Sequence, residues 1–239
     1  MSPRPSHAYH HGDLRRALLD ASLALVQAKG VSALSLREVA RRASVSHAAP
    51  YHHFADKAAL MQAIRAEGFE LLHAQMAGEQ AEARRGAGDA PGERLAAAGR
   101  GYVRFALGHP GHFRVMFRPE MGASRATSAG GKRAYELLRD AVIACEKARL
   151  APAGQHGVLV LAAWSLVHGF ASLWLDGPLS VQEGAPAPEV AAAEITTLLV
   201  RLYASAGGQR LAPTAARKSG RPEGRSGQRA EVTSKRSGV

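Results

Sequence analysis

Apolar residues recur at helical spacing along most of the chain, and no run of alternating β-branched residues is long enough for a sheet. Leu14, Leu18, Ala21 and Leu25 step by four, three and four, which predicts an amphipathic helix opened by Asp13 and closed by Gly30. Leu36, Val39, Ala40 and Ala43 predict a second, shorter helix with one apolar face. Ser35 and Glu38 have capping-box spacing at its start, where the serine oxygen accepts from the glutamate N–H and the glutamate reaches back. Ser44-Val45-Ser46 stops this helix, because hydroxyl side chains compete for backbone groups. Ser46 is placed to cap a third helix that runs through Phe54. Two short helices joined by so tight a turn form a helix-turn-helix, whose second helix can enter a major groove. The first helix covers the pair from behind and completes a three-helix head.

The same patterning continues beyond the head. A long fourth helix is expected to start after its cap, Asp56, and to run toward Ala83, with Leu60, Ile64, Leu71 and Met76 as its apolar points. Arg84 to Gly92 holds four glycine or proline residues and reads as a break. Helices follow over Glu93–Leu107, Phe113–Phe117 and Lys132–Leu150, with a small, polar loop over Gly122–Gly131. In the third of these, Leu137, Leu138, Ala141, Val142 and Cys145 are expected to point inward. Val158 to Leu175 carries no charge in 18 residues, the lower limit for a membrane span. Ser165, His168 and Ser172 form a polar stripe there and no basic cluster flanks it, so it is read as the core helix of a dimerising domain. A last amphipathic helix is expected over Glu189–Ala206, using Val190, Ala193, Thr197, Leu198 and Val200. The expected fold class is all-α. It comprises an N-terminal arm (1–12), a helix-turn-helix head (13–57), a helical ligand-binding and dimerisation domain (58–206) and a disordered basic tail (207–239).

Composition agrees with helices: 46% of the chain is hydrophobic, largely alanine and leucine, and only 5% is aromatic. The net charge of +11 is concentrated at the ends. Residues 207–239 hold eight basic against two acidic residues, and residues 1–57 hold eight against four, which leaves a nearly neutral body. Basic ends on a neutral body point to a polyanion partner, although the tail alone reads as a solvated extension. The single cysteine, Cys145, forms no disulfide within the chain, and the N-terminus lacks an apolar signal core. Both features fit a cytoplasmic protein. There is no glycine-rich phosphate loop, nucleophile elbow or metal-spaced cluster, and His47 and His52 are five apart, poor spacing for chelation from one helix face. His7, His10 and His11 lie in the arm without a defined metal partner. No catalytic residue, metal or cofactor is expected.

The helix-turn-helix surface is distinctive. On a helical wheel Ala49, Pro50 and His53 face one side, and His47, Ala48, Tyr51 and His52 face the other, mixing a small residue with hydrogen-bonding rings. Lys57 begins the next helix, where a positive charge opposes the helix dipole but suits a phosphate. Y-H-H-F-A-D-K (Tyr51–Lys57), preceded by S-L-R-E-V-A (Ser35–Ala40), resembles the DNA-binding segment of the TetR family of bacterial repressors. The resemblance covers the first quarter of the chain. It implies that Arg37, His47 and Tyr51 approach bases or backbone and that His53 and Lys57 hold phosphates. Ser46, Ala48 and His52 complete the expected DNA-facing set. The chain departs from the family at Ser44, where glycine is usual and a left-handed residue costs about 1–2 kcal/mol. It departs again at Pro50, which replaces a branched apolar residue and removes one hydrogen bond.

W-S-L-V-H-G (Trp164–Gly169), with H-P-G-H-F-R-V-M-F (His109–Phe117) upstream, resembles one C-terminal subfamily of the same regulators. That resemblance implies an inducer pocket and a homodimer paired through the last two long helices. The pocket candidates are Tyr102, Phe105, Phe113, Met116, Phe117, Trp164, His168 and Trp174, since aromatics with one polar ring suit a mostly apolar site. Each of them alone also reads as plain core. The expected function is a ligand-responsive, sequence-specific transcriptional regulator, a repressor released from a palindromic operator by a small molecule. A non-specific architectural DNA protein and a metal-sensing regulator are the alternatives.

Overall fold

The computed structural model describes residues 11–118 and 128–208, all helix and connecting turns, with no strand among the described residues. Residues 1–10 of the expected N-terminal arm, most of the Gly122–Gly131 loop and nearly all of the basic tail lie outside the described residues, and the last two arm residues belong to the first helix. Helices α1 (His11–Lys29) and α2 (Leu36–Arg42) and a 3-10 turn (Ala49–His52) form the head. The body comprises α3 (Lys57–Ala87), α4 (Pro91–Gly108), α5 (Pro110–Met116), α6 (Ala129–Lys147), α7 (His156–Leu175) and α8 (Pro188–Gly208).

Two of the expected caps form. Ser35 Oγ accepts from the Glu38 N–H at 3.2 Å, and an Asp56 carboxylate oxygen accepts from the Ala59 N–H at 2.8 Å. Only half of the capping box is made, because the Glu38 carboxylate turns to Arg41 (2.6 Å) and Lys29 (3.6 Å). That pairing holds the Glu38 carboxyl down to about 2. Helix α1 starts at His11, two residues before the expected start at Asp13. The break after α3 is also shorter than expected. Pro91 is tolerated as a first helical residue, so α4 opens there rather than at Glu93. Likewise α5 opens on Pro110. Helix α6 starts three residues early, capped by Ser128 Oγ, which accepts from the Gly131 N–H.

The head closes over Leu18, Leu25, Val26, Leu34, Leu36, Val39 and Phe54. Two parts of the body enter the same cluster: Leu60, Met61 and Ile64 from the start of α3, and Val115 from α5. The next residue along α5, Met116, lies in the body core with Phe113. Helix α5 is therefore a wedge with one side in each core. The body is built around α4, which packs on α3, α6, α7 and α8. At its crossing with α3, a Cβ on Gly101 would lie 2.7 Å from Met76 Cα. Glu79 of α3, buried there, pairs with Arg104 of α4. Cys145 is buried, and burial pushes its thiol up to about 11, so it is an inert core residue.

Helix α7 is long and apolar enough to cross a membrane by length and composition. Ala163, Val167 and Ala171 are buried against the body, while Val158, Leu161 and Leu173 face outward. Helix α8 corrects a sequence expectation. Its buried positions are Ala191, Ala192, Thr196 and Tyr203, whereas Val190 and Leu198, on the apolar face expected from the sequence, are exposed with Leu202. Periodicity marks a face as apolar without saying whether its own chain or another covers it.

The seam between head and body holds a buried titratable group. His112 of α5 is 5% exposed, with its Nε2 3.5 Å from Glu67 Oε1, which accepts from Arg16 of α1 at 2.7 Å. Burial lowers the His112 pKa; Glu67 opposes that shift, while His109 and Arg16 reinforce it. The fold thus favours the neutral ring. Its contribution is complete above the unfolded pKa, about 6.5 for histidine, and is lost as pH falls below that value toward the folded pKa. Melting temperature should fall between pH 7.5 and 5.5, and His112→Gln should flatten part of that fall. Identical melting profiles across this window would refute the assignment. His168 shifts in the same direction, so the flattening is partial.

Candidate functional site

The exposed face of the head is set by how α2 ends. The Ser44 N–H donates to the Arg41 carbonyl and the Val45 N–H to the Ala40 carbonyl, closing the helix with a left-handed residue, Ser44, at φ 56°. This is the strained position expected from the sequence. The chain then turns through Ser46–Ala48 into the 3-10 turn. The expected helix from Ser46 to Phe54 is not formed. Ala48 is the N-cap of the turn, with no side-chain bond; the Ser46 carbonyl accepts from the Ala49 N–H, the Tyr51 and His53 N–H groups donate three residues back, and the Phe54 N–H donates four back to Pro50. Pro50 has no N–H to donate four back to Ser46, so the turn is held mainly by three-back contacts and closes with one α-type bond at Phe54.

The partition of faces survives this change. In a 3-10 turn residues three apart eclipse, so Pro50 and His53 share one side and Ala48 and Tyr51 the other. Pro50 is buried and Ala49 and His53 are half-buried, whereas Ser46, His47, Ala48, Tyr51 (59% exposed) and His52 face solvent. Arg37 of α2 and Lys57 of α3 are also exposed. His53 Nε2 is buried without a hydrogen-bond partner. Its ring points toward Phe54 rather than outward with Tyr51, in keeping with the wheel. The result is a compact surface of small residues, hydrogen-bonding rings and two cations, a chemistry that can meet base edges and phosphates.

The second feature is a cavity of about 450 Å³ in the body. Its walls are Phe69, Leu72 and Met76 of α3, Tyr102 of α4, Phe117 just past α5, Gly131, Lys132, Ala134, Tyr135 and Leu138 of α6, and Trp164 of α7. Close approach of α6 to α3 shapes it: a Cβ on Gly130 would lie 2.7 Å from the Glu70 backbone nitrogen. Of the eight pocket candidates, Tyr102, Phe117 and Trp164 line it. Phe105 and Met116 are fully buried core residues instead, and Trp174 stacks on Phe170 away from it. Phe113 and His168 line a different depression, a polar groove of about 490 Å³ shared with Arg114, Arg118, Ser172 and Asp176. Sequence reasoning missed the α3 and α6 walls, although Met76 and Leu138 were already marked as inward.

His168 joins the two sides. Its Nδ1 lies 2.7 Å from the Tyr102 hydroxyl, and its ring packs on Phe117 at 4.7 Å between centroids. Burial lowers the His168 pKa, which favours the neutral ring. Burial also raises the Tyr102 phenol pKa, against a hydrogen bond from Trp164. The consistent assignment has the Tyr102 O–H donating to Nδ1. The His168 proton then sits on Nε2.

Comparison with known proteins covers both regions. Residues 18–64 match the bacterial regulatory proteins of the tetR family, and residues 95–199 match the tetracyclin repressor-like C-terminal domain. A protein of unknown function from Rhodococcus sp. RHA1 is 32% identical, over 83% of this chain and 100% of that one, with a TM-score of 0.66. A bacterial regulatory protein in the tetR family from Rhodococcus RHA1 is 20% identical, covering 80% and 96%, with a TM-score of 0.64. AibR, in complex with isovaleryl coenzyme A and operator DNA, is 21% identical, covering 79% and 98%, with a TM-score of 0.62. No curated protein matches the chain.

Proposed function

We propose, from the premise that this chain belongs to the tetR family of DNA-binding transcriptional regulators, which are not enzymes, that it is a repressor released from a palindromic operator by a small molecule. One observation carries the reading. The helix that begins at the exposed Lys57 continues into the wall of the cavity as Phe69, Leu72 and Met76. A ligand that prefers one position of α3 shifts the population of head orientations by its difference in affinity between them. The existence of AibR bound to isovaleryl coenzyme A and operator DNA supports the same pair of partner classes.

In this reading Arg37, Ser46, His47, Ala48, Tyr51, His52 and Lys57 meet DNA. The buried Nε2 of His53 argues that this residue supports the turn rather than a phosphate. The outward apolar residues of α7 and α8, among them Leu161, Leu173, Leu198 and Leu202, pair with a second copy. Two heads on one two-fold axis then read two inverted half-sites about 34–36 Å apart. The test is selection of bound fragments from random duplex, followed by sizing of the complex. Enrichment of an inverted repeat bound by two chains is expected. An unenriched pool would favour the architectural alternative, and one chain on a specific site would refute the dimer.

A further inference from the structure

We infer that the cavity selects an uncharged, apolar ligand, and that it excludes anionic molecules of the same shape; this rests on reading the cavity as the ligand site. The walls offer little that a polar ligand can bond. Besides the exposed side chains of Lys132 and Tyr135, the lining side chains with polar atoms are Tyr102, whose hydroxyl is bonded to His168 Nδ1 at 2.7 Å, and Trp164. A ligand acceptor would have to break the contact to His168 to reach the Tyr102 proton. The charge on the described lining is Lys132, which is 70% exposed at the rim and lies 3.9 Å from Glu136. It stands at the mouth and leaves the interior uncharged.

The polar side chains of this region lie across an aromatic wall. Phe117 lines both depressions, and beyond it the groove holds Arg114, Arg118, Ser172 and Asp176. Arg114 is itself paired there with Asp176 at 2.7 Å. The wall separates a charged groove from an uncharged cavity, so an ionised group inside the cavity would be desolvated with no partner. Size narrows the class further. A volume of about 450 Å³ is that of about fifteen water-sized groups at about 30 Å³ each. A compact aromatic or branched hydrocarbon body of roughly that atom count fits, with any polar group confined to the end nearest Lys132.

The test uses a matched pair of fluorescent probes: uncharged N-phenyl-1-naphthylamine, and the same skeleton carrying a sulfonate, 1-anilinonaphthalene-8-sulfonate. Each is titrated into the full chain, with release of a selected duplex followed in the same samples. The uncharged probe should bind and the sulfonate should bind at least about tenfold more weakly, since it would bury an unpaired charge. Ala134→Leu and Leu138→Phe should both weaken the uncharged probe. Because either variant could disturb packing, location is also read without filling the cavity. The chain has two tryptophans, so in Trp174→Phe the emission is that of Trp164, and it should fall as the naphthyl ring binds beside it. Equal or tighter binding of the sulfonate, quenching Trp164, would overturn the ligand class and leave the cavity as the site. Failure of both probes to quench Trp164 would overturn the cavity reading itself. Quenching by the uncharged probe without release of the duplex would uphold the ligand class and refute its coupling to DNA.

Discussion

Gly101→Ala should destabilise the protein by about 2 kcal/mol, while Gly78→Ala, the same change on the facing helix, should stabilise it. Both glycines are mid-helix, where alanine is intrinsically better by about 1 kcal/mol. The difference lies in what the new methyl meets. At Gly78 of α3 there is nothing within 4 Å, so only the helix preference remains. At Gly101 of α4 the methyl would lie 2.7 Å from Met76 Cα and 3.0 Å from the Gln75 carbonyl oxygen. These are backbone atoms of α3 and cannot rotate away, so the helices must part. Met76 and the neighbouring Tyr102 both wall the cavity, and parting them reshapes it. For a chain of this size the expected change is a fall in Tm of about 4–8 °C for Gly101→Ala and a small rise for Gly78→Ala. Thermal melts of the two proteins decide the matter. A Gly101→Ala protein that melts at or above the parent temperature would show that the α3–α4 crossing is looser than described.

Tyr51→Ala and Lys57→Ala should damage DNA binding in different ways. Lys57 presents a charge from the first turn of α3, which suits a phosphate and carries no sequence information. Its removal should weaken binding to every duplex alike and lower the salt slope by about one unit per half-site. Tyr51 presents a neutral hydrogen-bonding ring from the 3-10 turn. Its removal should cost about 1–3 kcal/mol at one position of the operator and relax the preference there, with little change in salt slope. His47→Ala should resemble Tyr51→Ala. Titrations over a salt series, on the selected operator and on scrambled duplex, separate these outcomes. Equal loss of salt slope in all three variants would defeat the division of roles.

How far the sequence carried these conclusions depended on how local the physics is. Ser35 and Asp56 act on amides three residues away, so their caps were legible, and so was the strained Ser44. The exposed set around Tyr51 was legible because inward and outward residues stay on the same sides in either helix type. The loss of the second α-helix was signalled by Pro50, but its replacement by a 3-10 turn was not. The cavity was the least legible feature. Helix α3 serves two cores, turning Leu60 and Ile64 to the head and Phe69, Leu72 and Met76 to the body. No single apolar stripe describes such a helix. Aromatic content pointed to three of the residues that line the cavity, Tyr102, Phe117 and Trp164. It could not say that Phe105 fills space completely while Phe117 stands at a void, because that depends on the spacing of α3, α4 and α6.

The reading head is also not a transplantable part. Its apolar interior is completed by Leu60, Met61 and Ile64 and by Val115, which arrives from more than fifty residues further along the chain. A chimera joined at Lys57 would carry the exposed surface of one head onto a foreign floor, with another protein's side chain where Val115 belongs. Specificity in such a chain can drift by substitution on the outer surface. Wholesale exchange of heads between relatives demands that the seam on α5 change with them.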